Sequence, residues 1–370
     1  MIRISHVSSS SGPVNRDGSP APSRSARPAG VSLTAYTTDA FEALRCMAQG
    51  VNVRGLCHRS FVDYYYTDNP WCSLWLLRNA DGIAGTIGVE RMPFAAGERS
   101  LTLGFASNFH APQHGLGGYL FLHWMKTAPL GLVFGGSAHT HRILRQQRWT
   151  YFSGTQTYVL NPSPFFAADE AAWRKWAKRG LARWRRVRLE TAIRRLPHEA
   201  RQRVSVQEEK TFTEDMLPRT SPFTFRLAPS LDYLRWRYRP GLPFVRYRLF
   251  RVRHGGRSVG YVVLNESPRR ILVAHCDGED ACRLAVGVLL SVVEITKADV
   301  DYREIRLASS HAEMQPLFTA AGFRPEKPER PFAIGARRGT VDVPADPSRW
   351  LVNLDWGDNG LRSPFLDEAP

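Results

Sequence analysis

Side chains able to move a proton near neutral pH gather in one part of the sequence. His110, His139 and His141 lie close together along the chain, and imidazoles titrate near neutrality, which suits a general base. Glu90, at the end of an expected hairpin, is the carboxylate alternative. Beside them runs "FHAPQHGLGGYLFLHWM", Phe109 to Met125, where Gly115, Gly117 and Gly118 separate a strand-like segment from an apolar, helix-like one. A glycine turn that opens a helix offers unpaired main-chain N–H groups and the positive end of the helix, a seat for phosphate. The same turn also serves as a plain corner. Each histidine is equally compatible with a helix cap or a hydrogen-bonded surface imidazole, and Glu90 with a solvated strand end. His123, inside the apolar segment, reads as a core-edge residue. No metal site is expected, because no HExxH-like spacing or paired cysteines appear.

These residues need elements to hold them. "SLTLGFAS" (Ser100 to Ser107) and "LGLVFGG" (Leu130 to Gly136) read as strands, with His110 after the first and His139 and His141 after the second. In open α/β sheets ligands settle beyond the carboxyl ends of strands, so this order brings the histidines to one cleft. Upstream, a strand and helix over "VSLTAYTTDAFEALRCMAQG" and a helix over "RGLCHRSFVDYYYTDNP" precede a hairpin, "SLWLLR" and "IAGTIGVERM". Downstream come a short helix, "AHTHRILRQQ", and closing strands over "TYFSGTQTYVLN".

A similar order returns in the second half of the chain. "LDYLRWRY" is helical up to Pro240, and "VRYRLFRVR" and "RSVGYVVLN" form a hairpin. Strand "RILVAHC", a long helix from Ala281, strand "YREIRLAS" and helix "HAEMQPLFTAAG" follow. The two hairpins align without a gap, Leu74–Arg78 over Leu249–Arg253 and Gly85 over Gly260, which points to duplication of one α/β module. The division is a disordered leader over 1–30, a first domain over 31–162, a basic helical linker over 163–204, a second domain over 205–360 and a tail over 361–370. The fold class is mixed α/β, with two similar modules in tandem.

Composition narrows the class. The chain has 370 residues, 43% of them hydrophobic, enough for two cores. Neither a membrane-spanning run nor the apolar centre of a signal peptide is seen, and the odd count of five cysteines suits reduced thiols, so a cytoplasmic protein is expected. The net charge of +16 owes much to a block from Ala171 to Arg195 that carries ten Lys/Arg against one acid, Glu190. In this block Trp173, Ala177, Gly180, Trp184, Val187 and Thr191 share a helix face. A basic helix with a tryptophan stripe can lie peripherally on an anionic membrane. The plainer expectation is a linker that docks its tryptophans on a neighbouring domain and solvates its arginines.

The order of elements in both halves resembles that of GNAT acyltransferases. "AAGFRP" (Ala320 to Pro325) is similar to that family's terminal "GF", and Arg148-Trp149 stands at the same place in the first half. "DYLRWRYRPGLP" and the tail "WLVNLDWGDNG" resemble a tandem branch associated with bacterial exopolysaccharide and surface-glycan loci. The resemblance covers residues 31–160 and 205–360. It implies acetyl-CoA or another acyl-CoA as co-substrate, with the pyrophosphate on the amides of an R/Q-x-x-G-x-G/A loop. Carried over, His114 replaces the Arg/Gln, Gly115 and Leu116 follow, Gly117 is the first signature glycine, and Tyr119 falls where a small residue is usual. A shift of one residue puts Gly118 in the signature instead. The second half has "HCDGEDACRLA" here, with Asp277, Glu279 and Asp280 to repel a phosphate, so the first module is the expected binder. The tyrosine acid common in the family is Leu144 in one half and Phe318 in the other.

The resemblance implies an N-acyltransferase whose acceptor is an amino sugar or glycan precursor. Two other readings share the element order. One is a FemX-type transferase, for which the basic block would contact aminoacyl-tRNA. The other is a non-catalytic scaffold at a polysaccharide-synthesis complex.

Overall fold

The computed structural model describes residues 30–67, 69–112, 115–128, 130–161, 172–267, 270–297, 304–336 and 342–356. The leader, His114 and the closing "GDNG" lie outside the described residues. The first half runs β1 (Ser32–Ala35), α1 (Phe41–Gly50), α2 (Arg59–Tyr66), β2 (Cys72–Asn79), β3 (Gly82–Ala96), β4 (Arg99–His110), α3 (Leu116–Thr127), β5 (Leu130–Phe134), α4 (Ala138–Gln146), β6 (Thr150–Phe152) and β7 (Gln156–Leu160). Then come α5 (Ala172–Arg195) and α6 (His198–Arg201). The second half runs β8 (Val204–Glu209), β9 (Phe225–Leu227), α7 (Leu231–Arg237), β10 (Arg246–His254), β11 (Arg257–Glu266), β12 (Arg270–Gly278), α8 (Ala281–Lys297), β13 (Glu304–Ser309), α9 (Met314–Ala320), β14 (Arg324–Pro325), β15 (Phe332–Ala336) and β16 (Trp350–Leu351). Apolar spacing explains the helices that matter most here. Leu116, Leu120, Phe121 and Trp124 put one face of α3 into the core. Strand β4 runs three residues past the expected end, so His110 is its last residue and does not follow it.

Two mixed sheets result. The first has the order β1-β2-β3-β4-β5-β15-β6, with β9 beside β3 and β16 beside β9. The second has the order β14-β7-β13-β12-β11-β10-β8. The closing strands are exchanged. Strand β7, from before the linker, pairs with β13 and β14 in the second sheet, while β15, near the C-terminus, sits between β5 and β6 in the first. The division 31–162 and 205–360 therefore describes the order of elements along the chain, while each sheet includes strands from the other half. Trp149 lies under the exchanged strand, against Gly131 of β5 and Gly335 of β15, where a Cβ would overlap the indole. One apolar cluster also joins α1, α2 and β2 to α7, β10 and β11, so the modules share a core.

The repeat is visible in the backbone. In β2–β3 the register shifts between Leu77 and Arg78, and in β10–β11 between Val252 and Arg253, which are aligned positions. Leu77 faces Gly85 as Val252 faces Gly260. The corner after α4 also matches the one after α9. Trp149 N donates to Leu144 O at 3.0 Å, and Phe323 N to Phe318 O at 3.0 Å. Both corners pass through left-handed backbone, at Arg148 (φ 58°) and Gly322 (φ 97°). A side chain is strained there, so Arg148→Gly is expected to stabilise the protein by roughly 0.5–1 kcal/mol, the relief of strain exceeding the added freedom of the unfolded chain. A higher urea midpoint checks this.

The linker helix does not dock its tryptophans. Its C-terminal half buries Leu189 and Ile193 in the second module's core, together with Leu196 and Ala200. Trp173, Trp176 and Trp184 stand in solvent. The helix needs only one apolar strip to bind its module, and the aliphatic residues supply it.

Candidate functional site

The first sheet opens between β4 and β5. These parallel strands pair only from Leu103 with Leu130 to Phe105 with Leu132. Beyond that point they part, and β5 keeps its other edge on β15. The bend in β4 has a visible cause. The register against β3 shifts between Thr86 and Gly88, and Asn108 takes a left-handed φ of 47°. Such a bulge turns the strand and adds twist. Side chains fix it: Thr86 Oγ1 donates to the Asn108 carbonyl at 2.9 Å, Asn108 Nδ2 donates to Tyr66 Oη at 2.5 Å, and Tyr66 Oη lies 3.3 Å from Ser107 Oγ. Burial pushes the Tyr66 phenol far up, so it stays a neutral brace.

The parting strands make a cleft of about 440 Å³, within the usual size of a small-molecule site. Its walls include Phe105–His110 of β4, Val133 and Phe134 of β5, Ser137 and Thr140 at the start of α4, and Asn52–Gly55 before α2. His110 is the sequence-derived candidate base that lines it. Burial lowers its pKa, so the imidazole is neutral and able to accept a proton at neutral pH. The exposed Arg54 also lines the cleft.

The other candidates lie elsewhere. His139 is exposed on α4 and is not part of the cleft wall. His141 is buried, with Nε2 2.8 Å from the Gly135 carbonyl and Nδ1 2.9 Å from Tyr151 Oη. Both ring nitrogens are therefore engaged in holding the turn before α4, and burial lowers its pKa. Glu90 is fully buried between the modules, where its Oε1 accepts from Tyr233 Oη at 2.8 Å and lies 3.1 Å from Arg237 Nε. His123 packs on Trp75, 4.3 Å between ring centroids. The cleft thus brings together His110 and the bulge, and separates His139, His141 and Glu90 from them. Among the described residues no three His, Cys, Asp or Glu side chains converge as a metal site.

Helix α3 starts beside the end of β4. Gly115 is its N-cap, with a left-handed φ of 88° and no side-chain hydrogen bond to the first turn. First-turn amides lack intrahelical partners, and among the described residues no capping side chain takes their place. Leu116 anchors the turn in the core. A Cβ on Gly117 would make ordinary contacts with Ala111 and Phe109, while Gly118 faces open space. Tyr119 is half-buried against the apolar cluster under α3 and is not part of the cleft wall. Gly115 to Gly118 are likewise outside the cleft wall, and the described residues of this corner leave room for a phosphate group.

The second sheet opens in the same way and is then crossed. Strands β12 and β13 pair only from Arg270 with Glu304 to Leu272 with Arg306. Residues 348–356 span the gap beyond. The Ser348 carbonyl accepts from Ala312 N at 2.8 Å, just past β13. Asn353 clasps Cys276 of β12, with Oδ1 3.0 Å from its N and Nδ2 3.2 Å from its O. Asp355 follows, accepting from Tyr238 Oη, with His275 Nδ1 3.5 Å away. Burial lowers the His275 pKa to about 3 and raises that of Asp355 well above the carboxylate range, so this contact is not an ion pair. Burial likewise lifts Asp277 to about 7 against the pull of its partner Arg226. Sequence reasoning missed both this crossing tail and the bulge. For the bulge, the polar pair Ser107-Asn108 in an otherwise apolar strand was the available signal.

No protein-family model and no curated protein sequence matches the chain. Solved structures do. A tandem GNAT protein from the clavulanic acid biosynthesis pathway, solved without AcCoA, superposes with a TM-score of 0.50 at 11% identity, over 84% of this chain and 100% of that one. The chain folds as two GNAT-like modules in tandem. A GCN5-related N-acetyltransferase from Anabaena variabilis ATCC 29413 aligns at 8% identity with a TM-score of 0.49, over 83% of this chain and 73% of that one. The first module's cleft is the gap where β4 and β5 part, and the matching gap in the second module is the one crossed by residues 348–356.

Proposed function

We propose that the chain is an acyl-CoA-dependent N-acyltransferase that works in the first module's cleft. The proposed acceptor is the amino group of an amino sugar or glycan precursor, a class suggested by the likeness of "LRWRY" and the closing tail to the exopolysaccharide-associated branch. One observation supports the reading above the rest. The first module's strands part beside a helix opened by Gly115, while the equivalent gap in the second module is crossed by the chain's own tail. Gly115, Leu116, Gly117 and Gly118 hold the pyrophosphate through main-chain amides, and Arg54 adds positive charge. The acyl-CoA supplies an activated thioester carbonyl.

His110 takes the proton from the acceptor ammonium or, as C–N bond formation proceeds, from the attacking amine. The C–S bond breaks and the electron pair leaves on sulfur. A thiol pKa of about 8.5 lets thiolate depart without a dedicated acid, in keeping with Leu144 and Phe318 at the usual tyrosine positions. Main-chain N–H groups of the parted strands are the donors for the developing oxyanion.

Acetyl-CoA at about a hundredfold excess over its Kd is expected to stabilise the protein by about 2.7 kcal/mol, seen as a rise in the thermal midpoint. Gly117→Glu is expected to abolish that rise by placing a carboxylate at the phosphate seat. The unliganded variant should be no less stable, because Glu exceeds Gly in helix propensity by roughly 0.5–1 kcal/mol. Release of free thiol from acetyl-CoA with glucosamine as acceptor tests the chemistry. Equal shifts in both proteins, or none, remove the assignment.

A further inference from the structure

We infer that the outward face of α5 is a docking surface for an anionic phospholipid bilayer. At about 100° per residue, Trp173, Trp176, Gly180, Trp184 and Val187 fall in a strip roughly 80° wide. Leu189 and Ile193, which seat the helix on the second module, lie roughly 160° away around the axis. The N-terminal part of the strip, Trp173 and Trp176, thus points away from the protein, while Trp184 and Val187 also edge a groove against Ala320. Trp173, Trp176 and Trp184 are 67%, 79% and 52% exposed, and Val187 49%. No other described tryptophan is among the exposed large hydrophobics.

Charge flanks the strip on both sides. Arg179, Arg183 and Arg194 fall along one edge of it, and Arg174, Arg188 and Arg195 along the other. Arg174 and Arg188 lie over the rings of Trp173 and Trp184, 5.2 and 4.7 Å from the centroids. Nearer the protein, Arg185 and Arg186 donate to the main-chain carbonyls of Asn161 and Thr296. Glu190 is the one acid on the helix.

A bilayer interface matches this arrangement point by point. Indole rings prefer the boundary between headgroup and acyl chain, and arginines beside them meet lipid phosphates. No helix among the described residues is long and apolar enough to cross a membrane, so α5 lies along the surface. Nucleic acid is the competing anion. It fits less well because the rings form a continuous strip with Val187 and small residues, with the arginines at its edges, whereas a single-strand groove tracks the backbone with its charges and stacks separate bases.

The test uses the full chain and sedimentation with phosphatidylcholine vesicles, with and without phosphatidylglycerol. Binding is expected to the anionic vesicles alone and to weaken as salt rises. Combined replacement of Trp173, Trp176 and Trp184 by alanine is expected to weaken it by at least about tenfold. The pair Arg183→Glu and Arg188→Glu is expected to do the same through charge. All these side chains are outside the core, so the thermal midpoint should hold, and the charge pair decides if the tryptophan variant does not fold. Absence of binding to anionic vesicles, or binding unchanged in both variants, overturns the inference. So does tighter retention of bulk tRNA than of vesicles at the same salt, lost in the tryptophan variant.

Discussion

Arg237→Ala is expected to cost about 3–5 kcal/mol of folding stability, because it strands the Glu90 carboxylate in a place without water. Both side chains are fully buried, one on β3 of the first module and one on α7 of the second. Arg237 Nη1 also donates to Tyr65 Oη at 3.3 Å and Tyr247 Oη at 3.2 Å, and the guanidinium lies 5.4 Å from the ring centroid of Tyr65. Burial pulls the guanidinium pKa down, but Glu90 and the tyrosines outweigh it, so the charge persists. Removing both charges together, as Glu90→Gln with Arg237→Met, should recover most of the loss, since buried pairs replaced by neutral groups are often close to neutral in stability. Urea unfolding of Glu90→Gln, Arg237→Met and the double variant gives the coupling between the two side chains. A loss below about 1 kcal/mol in Arg237→Ala, the range of exposed pairs, would mean that water reaches the pair.

His110→Ala is expected to lower kcat by about 10²–10⁴, the usual share of a positioned general base. The pH profile distinguishes this role from a structural one. The folded pKa of His110 lies below its ordinary value, so the base form is lost only as pH falls through that lowered value. The wild-type rate should therefore show an acid limb below about pH 6.5, the ordinary histidine value, in addition to any limb from the acceptor amine. The variant should lose the first limb and keep the second. A rate within about threefold of wild type, far less than a lost base costs, would place the base elsewhere.

Local spacing made much of the fold legible. The aligned hairpins predicted a repeat, and the register shifts at Leu77/Arg78 and Val252/Arg253 locate it to the residue. Arg148-Trp149 matched "GF" despite the lost glycine, because the corner depends on a left-handed residue followed by a large ring. Long-range choices were not legible. Strands β7 and β15 carry the same alternation wherever they pair, so nothing in "QTYVL" or "FAIGA" tells one sheet from the other. His139, two residues from the buried His141, illustrates the limit for sites. Position after a strand brought both near the cleft, but the helical turn decided which imidazole faced the interior and which faced water. Glu90 looked like a free carboxylate because its partner is Arg237, far away in sequence.

The exchanged strands bear on how this protein is made. As the polypeptide leaves the ribosome, β5 and β6 emerge long before the segment that must lie between them, so the earlier sheet waits with an open edge until residue 336 is translated. Bare edges invite pairing with other chains, so residues 31–162 expressed alone should aggregate, and an equimolar mixture with 163–370 should rescue both. The arrangement also suggests an ancestry. Two copies of a single-module protein that traded their last strands as a homodimer, once joined end to end, would leave this connectivity, with one copy free to close its own cleft.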